Sequence, residues 1–350
     1  MNRTDDRMTA NTRDANMDLM RIVAMLLVMV YHSNYYNLAL EEGTSSEYTS
    51  LQLCGYAMMK CISMVCVNLF ILISGWYGIQ PNAKKLSALT FQIWFFSGLT
   101  YIILCLCYAD LTFSVNTFVH LLLFGGYWFI PAYLLLYICS PVLNTFVQHA
   151  APKKMLYVII FYFLFQFYYG WLERGIYFNH GCSPLVFFGL YLTARYIKLH
   201  APQLTRIKTT HLALCYALLL IGTTLLCTFL TLRHQQEYAE MMMQNSSPFN
   251  TALSITLLLI FSRIRIRNRH INRIGISCFA VFLLHGSPFF YEKIYHPFGC
   301  YAFQVAPAWL SVLLILTFIF LIFTISILID QIRIALWKWL TRRSRVTAAS

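Results

Sequence analysis

Charge is what this sequence has least of: Asp, Glu, Lys and Arg make up 11% of its 350 residues, while 59% are hydrophobic and the mean hydropathy is +0.61. A soluble domain carries about a quarter charged residues, so an ordinary water-facing surface cannot be assembled from this composition. Acidic residues are the scarcer sign, 13 against 26 Lys and Arg. Low-complexity linkers and internal repeats are also missing, which argues for one domain with short tails. The eleven cysteines are scattered, mostly inside apolar runs, and no CxxC pair occurs. That pattern gives no metal site and no disulfide framework, and leaves cysteine as a small packing residue.

What the chain has in abundance is apolar runs of membrane-spanning length. They fall at 19–36, 56–79, 86–108, 127–147, 155–170, 183–199, 211–232, 248–262, 276–291 and 307–333. The expectation is an all-α polytopic membrane bundle of about ten helices, with 248–262 the shortest span and 111–124 a lipid-parallel or re-entrant piece. Residues 1–18 and 334–350 read as tails around a membrane domain at 19–333. No small-x-small cleavage site follows the first run, where Asn37, Leu38 and Ala39 lead into Glu41. The first helix is therefore expected to be retained.

Threading ten helices with the N-terminus in the cytoplasm puts every basic residue on the inner side except Lys60, Arg174, Arg233 and Lys293. The outer segments collect Glu41, Glu42, Glu47, Asp110, Glu173, Glu237, Glu240 and Glu292. That asymmetry is the positive-inside bias, and it places both termini in the cytoplasm. It also accounts for the net charge of +13 without nucleic acid, which is not expected as a partner.

The first run carries two groups that a spanning helix should avoid, Arg21 and His32. An interval of eleven residues is roughly 1100° of helix, three turns plus about 20°, so both side chains share one stripe about 16 Å apart along the axis. Only apolar residues and Tyr31 lie between them, so neither is expected to find a local polar partner. An ionisable group in a spanning helix costs at least ~2.5 kcal/mol unless it faces a bundle interior or a wet cavity. The stripe is therefore expected to line a cavity, cationic at the inner end and imidazole toward the outer.

Taken together, DLMRIVAMLLVMVYH (18–32), NLFILISGWYGI (68–79), GGYWFIPAYLLLYICSPVL (125–143) and ISCFAVFLLHGSPFF (276–290) resemble the acyltransferase-3 family of integral membrane O-acyltransferases. Two departures stand out. Asn68 occupies a place where the family often has proline, and the loop after the second helix has the pair Lys84–Lys85 but no RxxR arrangement. The resemblance implies transfer of an acyl group, acetyl above others, from cytoplasmic acyl-CoA to a hydroxyl of an extracytoplasmic glycan or lipid-linked sugar. It implies a bacterial cytoplasmic membrane, surrounding lipid, and no metal. The chain assigns no oligomeric state.

Residue chemistry fits that implication. Histidine, with an ordinary pKa near 6.5, is a natural general base for a hydroxyl, so His32 is the expected base. Arg21, with Lys84, Lys85 and Ser74 near the same end, is expected to hold the anionic donor. His285, Glu173, Trp128 and Tyr133 are candidates on the substrate side. Bland alternatives stand beside each: a snorkelling Arg21, an interfacial histidine, helix packing at Ser74 and Gly75, an aromatic belt at Trp128 and Tyr133, a merely polar loop at Glu173. A transporter or flippase of a lipid-linked glycan or small polar solute is the rival function, since a polar stripe across a bundle also looks like a transport path.

Overall fold

The computed structural model describes residues 15–41, 48–305 and 307–347. Arg3, Arg7 and Arg13 of the N-terminal tail and Glu42 and Glu47 of the first outer loop lie outside the described residues. Among those described, all regular structure is helical. The helices are α1 (Ala15–His32), α2 (Tyr35–Glu41), α3 (Ser50–Ser63), α4 (Cys66–Tyr77), α5 (Ala83–Cys107), α6 (Val115–Leu122), α7 (Phe129–His149), α8 (Pro152–Phe165), α9 (Pro184–His200), α10 (Thr209–Leu232), α11 (Gln236–Met242), α12 (Pro248–Arg263), α13 (Arg269–His285), α14 (Pro288–Phe290), α15 (His296–Gln304) and α16 (Ala308–Thr347).

Local sequence explains where many of them begin. Ser183–Pro184 and Ser247–Pro248 each put a capping hydroxyl before a proline that lacks the N–H a first turn cannot use, and both serines accept a backbone N–H two residues on. Asn82 and Asn268 do the same work with their amide oxygens for α5 and α13. α13 stops at Gly286–Ser287–Pro288, and the chain resumes at an angle of 66°. The break leaves His285 as the last residue of α13.

Every one of the ten apolar runs is helical. Seven stretches are long and apolar enough to cross a membrane, with an eighth if the bent pair Arg269–His285 and Pro288–Gln304 counts as one broken span. The chain is thus a multi-pass membrane protein. The other two runs form α9 and α12, of 17 and 16 residues, or about 25 Å each against a hydrocarbon core of about 30 Å. Both are packed inside the bundle, α9 against α4, α7 and α8, and α12 against α1, α4 and α10. The run at 111–124 becomes α6, a short helix laid on α5 with Phe118 against Gly98. α16 continues through Thr347, so the segment after 333 extends the last helix.

α1 is the shared wall of two apolar cores. Met17, Met20 and Ala24 belong to one, with α4, α9 and α12, and Met25, Val28 and Met29 to the other, with α13 and α16. The helix ends fall into two groups. Asn16 Nδ2 donates to Phe261 O at 3.1 Å, Arg263 to Thr205 O at 2.8 Å and Asn144 to Ile79 O at 2.7 Å. Opposite ends meet where Tyr36 OH lies 2.7 Å from Thr231 Oγ1, Trp171 Nε1 donates to Met241 O at 2.8 Å, and Lys293 pairs with Asp110 at 2.8 Å.

Candidate active site

His32 ends α1. Ser33 N–H turns back to Met29 O and Val30 O, and Asn34 takes the left-handed φ of 60° that terminates helices. Carbonyls of this last turn also accept from the chain beyond the α13 break: Tyr295 OH donates to Met29 O at 2.6 Å and Tyr291 OH to His32 O at 3.4 Å. The break and the helix end are thus tied together, and they bring two imidazoles edge to edge, their planes tilted by 48°. His32 Nδ1 lies 3.1 Å from Nε2 of His285, a fully buried side chain.

The tautomers follow from the partners. His285 Nδ1 is 2.6 Å from Val281 O, an oxygen that can only accept, so that nitrogen carries the proton. In a neutral ring Nε2 is then the acceptor, and His32 Nδ1–H donates to it. His32 Nε2 is left with a free lone pair. His285 therefore does for His32 what a carboxylate does in other base pairs: it fixes the ring and the tautomer.

His32 lines a mostly apolar cavity of about 700 Å³, together with Tyr31, Cys66, Trp128, Cys182 and Asn245 among others. Arg21 lines a second, of about 830 Å³, with Ser74, Gln92, Tyr133 and Gly275. Phe70, Phe129 and Phe279 line both. The stripe predicted as one cavity lines two adjoining chambers, which share Phe70 of α4, Phe129 of α7 and Phe279 of α13.

The expectation that Arg21 lacks a local polar partner is corrected. Its guanidinium pairs with Asp18, one turn earlier and fully buried; an i,i+3 spacing puts the two on one face. Ser74 Oγ is 3.3 Å from Tyr133 OH, so these two sequence candidates meet, and they meet at the Arg21 chamber. Trp128 lies at the His32 chamber. Lys84 and Lys85 are exposed on the first turn of α5, capped by Asn82, and do not line either chamber. Glu173 is exposed and also lines neither; its neighbour Arg174 pairs with Glu237.

Several groups at these chambers escaped the sequence reading. Gln92 donates to Asp330 Oδ1 at 3.1 Å, and Asp330 accepts from Arg333 at 2.7 and 2.9 Å. Asn245 lies on the loop before α12. Their signal in the sequence is an isolated amide or carboxylate in or beside an apolar run.

A family model described as an acyltransferase domain matches residues 14–330, a stretch that contains every residue of both chambers. Searches of curated proteins and of solved structures found no match.

Proposed function

This chain belongs to the acyltransferase-3 family and is a membrane acyltransferase, and from that premise we propose that it moves an acyl group, acetyl above others, from acyl-CoA to a hydroxyl of an extracytoplasmic glycan. The observation that carries this reading is the His32–His285 hydrogen bond, which leaves a lone pair on His32 Nε2 at a chamber adjoining that of Arg21. Arg21 anchors the anionic head of the donor in its own chamber, where Ser74 and Tyr133 stand beside it. The slender pantetheine arm passes the shared phenylalanines and presents the thioester to His32. Attack by the acceptor oxygen forms the new C–O bond while His32 Nε2 takes the hydroxyl proton. Collapse breaks the C–S bond, and the same proton leaves with the thiol.

The protein sits in a bacterial cytoplasmic membrane with both termini inside, so Arg21 faces the side where acyl-CoA is made and His32 lies toward the acceptor. Lys84 and Lys85 serve the orientation, and they add long-range attraction for the donor at the same mouth. The 66° break beside His285 is also a feature of transport pathways, and it favours the flippase as the second reading. Thiol release from acetyl-CoA by the purified protein separates the two, because a flippase cleaves no thioester.

Variants test the roles. His32→Ala and His32→Gln lower turnover by ~10²–10⁴ while donor binding survives. Arg21→Ala raises the donor KM and recovers turnover at saturating donor, with Arg21→Lys between, since lysine keeps the charge and loses the planar fork. Near-normal acylation by His32→Gln would exclude His32 as the base. Mass spectrometry of surface glycans from cells with and without the protein identifies the acceptor.

A further inference from the structure

The loop Gln244–Ser247 between α11 and α12 is an expensive piece of structure. Ser246 and Ser247 are fully buried, and a buried loop carries carbonyls that no helix satisfies. Here three successive carbonyls are each held by a buried amide from a different element. Asn250 Nδ2 of α12 donates to Gln244 O at 3.3 Å, Asn68 Nδ2 of α4 to Asn245 O at 3.2 Å, and Gln166 Nε2, just past α8, to Ser246 O at 3.3 Å. All three amide side chains are fully buried. A fourth constraint comes from Gly181, whose φ is +92°; a Cβ there would lie 2.3 Å from Ser246 N.

The clamp carries its own cost. The side-chain oxygens of Asn68 and Gln166 are buried without a partner among the described residues, and a buried acceptor left unpaired disfavours folding. Amides kept at that cost fix the loop backbone more firmly than packing alone requires. Of the clamped loop, Asn245 is the residue that lines the His32 chamber. One of its amide hydrogens leans on Cys182 Sγ at 3.9 Å, and the amide carries a second donor.

Acyl transfer from a thioester needs such a donor, because the carbonyl oxygen takes up negative charge when the acceptor oxygen attacks. Besides His32, the strong N–H and O–H donors among the chamber's side chains are Tyr31, Trp128 and Asn245. Tyr31 and Trp128 are 38% and 39% exposed, and neither has a backbone held by three buried amides. We propose that Asn245 donates the hydrogen bond that stabilises the oxyanion of the tetrahedral intermediate, and that Asn68 and Gln166 are positioning residues that hold it in place. The proposal rests on the acyltransferase reading above and assigns the asparagine at position 68 a purpose: it is half of an Asn68–Asn250 pair, 3.1 Å apart, beneath this loop.

The test uses the purified full-length protein, acetyl-CoA as donor and release of free thiol as readout. Asn245→Asp keeps the shape and removes the donor; Asn245→Ala removes both. Each should lower kcat by ~10²–10³ with the acetyl-CoA KM within about twofold of wild type. Asn68→Ala should give a smaller loss in kcat, again without a change in donor KM. Thermal melting and gel filtration of Asn245→Asp establish that it is folded. A folded Asn245→Asp protein with unchanged kcat, or one with a raised acetyl-CoA KM and normal kcat, overturns the assignment. If wild type releases thiol and His32→Ala does not, that failure belongs to Asn245 alone. A wild-type protein that releases no thiol overturns the acyltransferase chemistry and this inference together.

Discussion

At the scale of single residues, the arrangement that matters most is a histidine oriented by a histidine. His285 accepts from His32 through Nε2 only because its own Nδ1 proton is committed to Val281 O. Losing that acceptor frees the His32 ring to rotate and to place its proton on either nitrogen. His285→Ala is therefore expected to lower kcat by ~10–100-fold with the donor KM unchanged, the usual cost of removing a group that orients a working side chain. His285→Gln should recover part of the loss, since its amide oxygen can accept from His32 Nδ1–H. Equal damage by both variants would reduce His285 to a packing residue. The sequence carried His32, Arg21 and His285 as separate candidates, because helix phase can be counted within one helix. The meeting of residues 32 and 285 could not be counted, since it depends on the angle at which α13 ends. Asp18 was legible by spacing, being three residues before Arg21 and so on the same helix face.

At the scale of elements, the site depends on how closely α1 and α13 approach. Gly275 makes that approach possible at the end opposite the histidines: a Cβ there would lie 2.7 Å from Asp18 Cβ. Gly275→Val is expected to force the helices apart, at a cost of ~1–3 kcal/mol, and to spoil both the Arg21–Asp18 pair and the His32–His285 contact. Melting temperature and acyl transfer should fall together. Gly222 on α10 provides the control, because nothing stands within 4 Å of a Cβ at that position; Gly222→Ala should leave both measurements unchanged or slightly improved. A tolerated Gly275→Val would mean that the two helices have slack to spare. Small residues as close-packing points were readable from sequence at Gly75, where a Cβ would sit 2.5 Å from Tyr191 O. Which helix each glycine meets was not, because hydropathy carries no information about pairing in a bundle whose helices are nearly uniformly apolar.

At the scale of the whole molecule, hydropathy carried the fold a long way: each of the ten apolar runs is helical in the structure, those at 19–36, 56–79 and 276–291 as two helices apiece, and ends assigned to one side by charge touch one another. Arg21 and His32 of the polar stripe line adjoining chambers that share Phe70, Phe129 and Phe279, and the part these three play was not readable, since aromatic residues inside apolar runs look like any other core. The buried amides Asn68, Gln166 and Asn250 were equally hard to read, as isolated polar residues from distant parts of the chain whose common target is one short loop. Orientation remains the decisive global property, because the proposed chemistry needs Arg21 on the donor side. In a background without native cysteines, a cysteine at Gln235, exposed between α10 and α11, is expected to react with a membrane-impermeant maleimide in intact cells. One at Asn82, exposed ahead of α5, should react only after permeabilisation. The two positions lie at opposite groups of helix ends, so the pattern has to reverse as a whole if it reverses at all. Labelling of Asn82 from outside would put Arg21 on the face that has no acyl-CoA, and the donor path from Arg21 to His32 would have to be abandoned.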